Sequence, residues 1–241
     1  MGGTPAEVPT GRTLALAVGS LVVVAVLDEV GPPPMSVVVG PAAATLLVGL
    51  ARRAGLSWDQ LGMGRGAQPR GGRYALAATL VVATAYTLAA ASPRTRAALL
   101  DMRHRDDAGG ALLIVLVAIP VGTVLFEEVA FRGVLWALLR RELGTGWATT
   151  GSSVLFGLWH ARSSLRVAQT NRAVAETLGT GGRARRRAVA GVVCFTGMAG
   201  VVLCEFRRRS GSLLAPIGLH WATNGLGALA SAVAWRSAVR R

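Results

Sequence analysis

Charge is scarce in this chain. Only 16% of its 241 residues are charged, where a soluble domain carries about a quarter. Lysine is absent, so every basic residue is an arginine. One-residue alternation of apolar and polar positions is scarce, and helical stripes with a strongly charged back face are missing. A surface that must meet water on all sides is therefore excluded. Cysteine is nearly absent as well: Cys194 and Cys204 lie in one apolar block. Ten residues of helix set them about 15 Å apart, beyond disulfide reach, which leaves them as small apolar fillers. No nucleic-acid motif is visible, and no basic stretch is interleaved with aromatics. The net charge of +14 is accordingly assigned to loops beside anionic lipid head groups, and no nucleic-acid partner is expected.

Apolar residues make up 52% of the chain, the mean hydropathy is +0.48, and they come in blocks. Helices apolar all round belong in a bilayer or a very large core, and this chain is too short for the latter. The blocks are 13–30, 36–51, 74–91, 111–139, 147–160, 188–205 and 213–235. They predict an all-α, polytopic transmembrane helix bundle of seven spans, give or take one. The protein is expected to be multi-pass, in the cell membrane, with the lipid bilayer as one partner. The first block is not followed by a small-residue cleavage site and closes on Asp28 and Glu29, so it reads as a retained helix. Block 111–139 extends roughly 44 Å, against a hydrocarbon core of about 30 Å, and Pro120 is expected to kink it.

The segments between blocks are polar. Residues 1–12 read as a frayed tail, 31–34 as a Gly-Pro break, 52–73 as an arginine-rich loop and 92–110 as a mixed-charge loop holding His104. Gly144 and Gly146 mark a turn. Residues 161–187 hold seven arginines and are expected to lie partly as an amphipathic helix on the membrane surface. The arginines divide almost evenly between alternate loops, so charge bias sets no orientation. No internal repeat or second domain is visible. The chain reads as one membrane domain, with N-terminal spans in 13–110 and a catalytic core in 111–235.

Four groups of polar residues stand inside these blocks, where a charge costs at least about 2.5–3.5 kcal/mol. In Glu127-Glu128-Val129-Ala130-Phe131-Arg132, Glu128 and Arg132 are spaced to pair on one helix face. Glu127 points about 100° away, without that cation, and is the carboxylate left to act as a general base. In Phe156-Gly157-Leu158-Trp159-His160, the histidine ends a short block. Glu127 and His160 each stand about 14 residues from the turn, so an antiparallel hairpin brings both to one depth, roughly 20 Å from it. In His220-Trp221-Ala222-Thr223-Asn224, the histidine and asparagine share a helix face, and two donors aimed at one point suit an oxyanion. Glu205 reads as an interface residue paired with Arg207, Arg208 and Arg209.

Singly, such residues serve as interhelical hydrogen-bond partners. Together they indicate one shared polar site. A divalent metal held by glutamate, histidines and Asn224 is a chemical alternative, although the two-histidine zinc-protease spacing is absent, and no cofactor is expected. A non-enzymatic immunity or partner-binding bundle is a second alternative. A small transporter is a third, disfavoured by the missing inverted repeat.

The three motifs resemble those of the CAAX protease and bacteriocin-processing family (CPBP, also called Abi), which includes the CAAX prenyl endopeptidases. EEVAFR resembles its Glu-Glu-x-x-x-Arg motif, FGLWH its Phe-x-x-x-His and HWATN its His-x-x-x-Asn, in the same order, over residues 110–235. The resemblance implies a glutamate-dependent intramembrane endopeptidase acting on a membrane-associated peptide or protein. In it Glu127 and His160 would activate water, His220 and Asn224 would hold the oxyanion, and Glu128 and Arg132 would orient the site. The long arginine-rich segment 161–187 departs from the family's better-known members, so substrate access is expected to differ there.

Overall fold

In the computed structural model, residues 10–30, 35–101, 110–161 and 181–239 are described. The tail before residue 10, the break at 31–34, His104 and most of the expected interfacial segment lie outside them. The described residues form seven helices and no strand: α1 (Thr10–Val30), α2 (Ser36–Arg53), α3 (Gln68–Ala91), α4 (111–143), α5 (145–159), α6 (Gly182–Ser210) and α7 (214–239). The protein is an all-α membrane bundle. Ser36–Arg53, Arg65–Ala91, Ile114–Trp159 and Gly182–Ser210 are long and apolar enough to cross a membrane, and the third of these turns back on itself at Gly144.

That turn falls at Gly144, whose φ of 81° is a left-handed value that glycine adopts at no steric cost. Beyond it α5 runs back along α4. Trp136 Nε1 donates to Thr149 Oγ1 at 3.3 Å, and Ser152 Oγ to the Phe131 carbonyl at 2.9 Å. Each partner pair is further from Gly144 than the one before, which is the signature of an antiparallel hairpin.

Helix α4 is the centre of the bundle: residues 126–138 are buried on every side. It continues through Pro120 rather than ending there. Residues Ile114–Val124 and Val129–Leu135 are π-helical, so the Leu125 N–H reaches back to the Pro120 carbonyl. Wider turns absorb the amide that proline lacks.

Two helices begin earlier than apolar blocks suggest. Helix α3 starts at Gln68, not 74, and α6 at Gly182, not 188. Their first turns carry Arg70 and Arg73, or Arg183, Arg185, Arg186 and Arg187. A helix can leave the hydrocarbon layer without unwinding, so its charged first turns look like loop to a reading by hydropathy.

The outer face is apolar. Val38, Leu46, Val81, Phe195 and Met198 are each at least 64% exposed, as lipid-facing side chains are. With lipid outside there is little hydrophobic drive between helices, so close packing must hold them. Small residues allow it. A Cβ on Gly157 would stand 2.6 Å from the Val193 carbonyl oxygen, and one on Gly200 3.1 Å from Ser153 Cα, both across α5 and α6. A Cβ on Gly218 of α7 would meet Ala75 Cβ of α3 at 2.4 Å.

Arg207 departs from its expected place. Glu205 pairs with Arg208 and Arg209, but Arg207 is 3% exposed. It donates from Nη2 to the Gln60 carbonyl at 2.8 Å and lies over the Trp136 ring. Its spacing on α6 turns it inward, where it pins the α2–α3 loop to the bundle. The Leu213 N–H donates to the Gly62 carbonyl at 2.9 Å and ties the same loop to the start of α7.

A Gly157→Ala variant is expected to lose about 1–3 kcal/mol of stability by overpacking the α5–α6 crossing, read as a lower melting temperature in detergent. Gly191→Ala, on the same helix pair but with nothing within 4 Å of its added methyl, is expected to melt with the parent or slightly above it. Equal melting of both variants would show that the crossing is not tight.

Candidate active site

The three sequence motifs meet around Glu127 and Glu128. Helix α4 supplies both carboxylates and Arg132, the end of α5 supplies Trp159 and His160, and the first half of α7 supplies His220. Glu127 is 4% exposed, Glu128 and Arg132 are 0% and His220 is 6%, so the cluster is sealed from the outer face of the bundle.

The adjacent glutamates have different partners. Glu128 Oε1 accepts from Arg132 Nη1 at 3.0 Å and lies 2.7 Å from His220 Nδ1. The expected Glu128–Arg132 pair is thus present, and His220 joins it as a third member. Carboxylate Oε1 can only accept here, so His220 Nδ1 carries a proton and Nε2 points away from Glu128. Arg132 also lies over Phe156, with Cζ 3.9 Å from the ring centroid. The aromatic face covers a guanidinium whose Nε and Nη2 have no hydrogen-bond partner.

Among the described residues Glu127 pairs with no arginine. Its Oε1 accepts from Trp159 Nε1 at 2.9 Å. Among the described residues its Oε2 makes no hydrogen bond, and it faces two imidazoles, His160 Nε2 at 3.8 Å and His220 Nε2 at 3.9 Å. Those separations exceed a direct hydrogen bond and suit a bridging water. On the far side of its ring, His160 Nδ1 lies 2.9 Å from the Phe156 carbonyl, an acceptor, so the neutral ring is protonated there and Nε2 is an acceptor toward Glu127. The hairpin expectation holds: Glu127 and His160 stand at one depth, on facing helices.

Asn224 is not brought into this hydrogen-bonded cluster. It is exposed, and among the described residues no hydrogen bond links it to Glu127, Glu128 or His220. Asn224 lies in the π-helical stretch Ala222–Leu226, four residues after His220. Trp221 Nε1 donates to the Val115 carbonyl at 2.9 Å, and Tyr86 Oη to the Thr223 carbonyl at 2.9 Å. Both bonds hold this stretch.

Two contributors went unassigned from sequence. Phe156 packs edge-on against both His160 and His220, with centroids 4.6 and 5.8 Å away. Its spacing of four from His160 was the available signal. Trp159 fixes one oxygen of Glu127, and nothing in the sequence distinguishes it from a tryptophan at a membrane interface.

Residues 109–226 match the family described as type II CAAX prenyl endopeptidase Rce1-like. This segment, just under half of the chain, is where the chain is similar to the Rce1-like family. The match contains the whole polar cluster and overlaps the segment 111–235 in which a catalytic core was expected. The Rce1-like family is one of proteases, and among the described residues four helices are long and apolar enough to cross a membrane. No curated protein and no solved structure matches the chain.

Removing one member of the buried pair leaves the other charge uncompensated. Arg132→Met is expected to destabilise the purified protein by about 3–5 kcal/mol, measured by unfolding in detergent. Adding Glu128→Gln to it should restore part of that loss; no recovery in the double variant would show that the pair is not coupled.

Proposed function

We propose that this Rce1-like protein is a glutamate-dependent intramembrane endopeptidase of the cell membrane that hydrolyses a peptide bond in a membrane-associated peptide or protein. The observation that carries the reading is Glu127 Oε2, a buried carboxylate oxygen without a hydrogen bond, facing two histidine Nε2 atoms at 3.8 and 3.9 Å.

Water is the nucleophile in this reading. A water between Glu127 Oε2 and His160 Nε2 donates one proton to each acceptor and keeps a lone pair free for the scissile carbonyl. As the O–C bond forms, Glu127 takes the proton, and it later passes a proton to the leaving amine. Trp159 holds Oε1, so the reacting oxygen is Oε2. The tetrahedral oxyanion is met by His220 Nε2, which donates as the imidazolium while Glu128 holds the proton on Nδ1. Arg132 balances Glu128. Asn224 is proposed as the second oxyanion donor on the strength of the His-x-x-x-Asn resemblance. No metal takes part.

The test is cleavage of a mixed library of fluorogenic and lipidated peptides by purified parent and variants. Glu127→Gln is expected to fold and lose all measurable cleavage. His160→Ala and His220→Ala should each lower kcat about 10²–10³-fold, as loss of a proton-transfer or oxyanion group does. Trp159→Phe should lower kcat with KM unchanged, since it frees Oε1 without touching substrate. A chelator should leave the parent rate unchanged. Full activity in Glu127→Gln would overturn the assignment, and abolition by chelator would recast Glu127, His160 and His220 as metal ligands.

A further inference from the structure

A second feature lies on the outside of the bundle, away from the polar cluster. A groove of about 740 Å³ runs between α3, α6 and α7, within the range of about 300–1,000 Å³ typical of small-molecule sites. Along α3 it is lined by Arg70, Arg73, Ala77 and Val81, a spacing that sets one stripe along one helix face. Val202 and Phe206 of α6 form the facing wall and Leu219 of α7 the floor. None of Glu127, Glu128, His160 or His220 lines it.

The groove is polar at one end only. Arg70 and Arg73 are exposed, and among the described residues neither has a carboxylate or hydrogen-bond partner. The neighbouring acidic group is already taken: Glu205 is engaged by Arg208 and Arg209. Past the arginines every lining side chain except Tyr74 is apolar, and Tyr74 is packed edge-on against Phe206 at 5.8 Å. From Arg70 to Val81 the stripe covers about 16 Å of helix, close to half of the roughly 30 Å hydrocarbon thickness. Two cations without a carboxylate partner among the described residues, at one end of an apolar channel about half a hydrocarbon core long, match a phospholipid with an anionic head group. The arginines meet the phosphate, and one acyl chain lies along Ala77, Val81 and Val202.

We infer that the α3–α6–α7 groove is a binding site for an anionic phospholipid, its phosphate held by Arg70 and Arg73. The floor of the site is Leu219, next to His220, so a bound lipid also packs against the helix that carries the imidazole.

The test is direct binding, independent of any hydrolysis. The parent, purified in neutral detergent, is titrated with phosphatidylglycerol or phosphatidylcholine of identical chains, and bound lipid is counted by native mass spectrometry. One phosphatidylglycerol should be retained under conditions that strip phosphatidylcholine. Arg70→Gln/Arg73→Gln should weaken phosphatidylglycerol at least about tenfold. Val81→Trp, which fills the channel with both arginines intact, should weaken it as well, with melting temperatures of both variants near the parent's. Equal retention by all three proteins would mean a nonspecific lipid ring, and equal retention of the two lipids by the parent would remove the head-group claim. Displacement of the lipid by inorganic phosphate alone would identify an ion site. Each of these outcomes overturns the inference.

Discussion

Two carboxylates and a guanidinium lie inside a bundle whose outside is hydrocarbon, and the cost of burying them organises the rest of the structure. Each ion withdrawn from water costs several kcal/mol after relaxation. The protein offsets this by surrounding α4 on every side, so that Glu128, Arg132 and His220 meet one another and the Phe156 ring instead of lipid. The compensation is incomplete, since Glu128 Oε2 and two Arg132 nitrogens have no hydrogen-bond partner. Stability alone would favour an apolar core at this level, so the charges are kept for something else.

The chemistry rests on an asymmetry between neighbours in sequence. Glu127 and Glu128 share a helix and nearly the same burial. A rotation of about 100° hands one of them an arginine and an imidazole, and gives the other an indole N–H and two imidazole edges. One carboxylate is neutralised and serves as an orienting group. The other keeps an oxygen aimed at the histidines. A soluble enzyme can build such a difference with loops and bound water. Here it comes from helix phase alone, held by the close crossing of α5 and α6 at Gly157 and Gly200.

The π-helical stretches belong to the same problem. They flank the two glutamates and contain Asn224, where backbone geometry must differ from that of an ideal helix. Around Pro120 the wider turn accommodates a residue that would otherwise break the central helix.

Much was legible in the sequence because the bilayer imposes simple rules. Apolar block length located seven helices, Gly144 marked the hairpin turn, and the rise per residue placed Glu127 level with His160. The Glu128–Arg132 pair followed from its spacing of four. Contacts between helices distant in sequence were not legible: His220 reaching Glu128, Trp159 reaching Glu127, and Arg207 turned inward against the α2–α3 loop. Helix ends in 68–73 and 182–187 were hidden because hydropathy reports the membrane layer and says nothing of where a helix stops. Local composition and periodicity thus determined which segments are helices and which residues are too polar for their surroundings. Only the tertiary packing decided which of those residues became partners, because helix phase and crossing distance are set by the neighbouring helices and not by the segment itself.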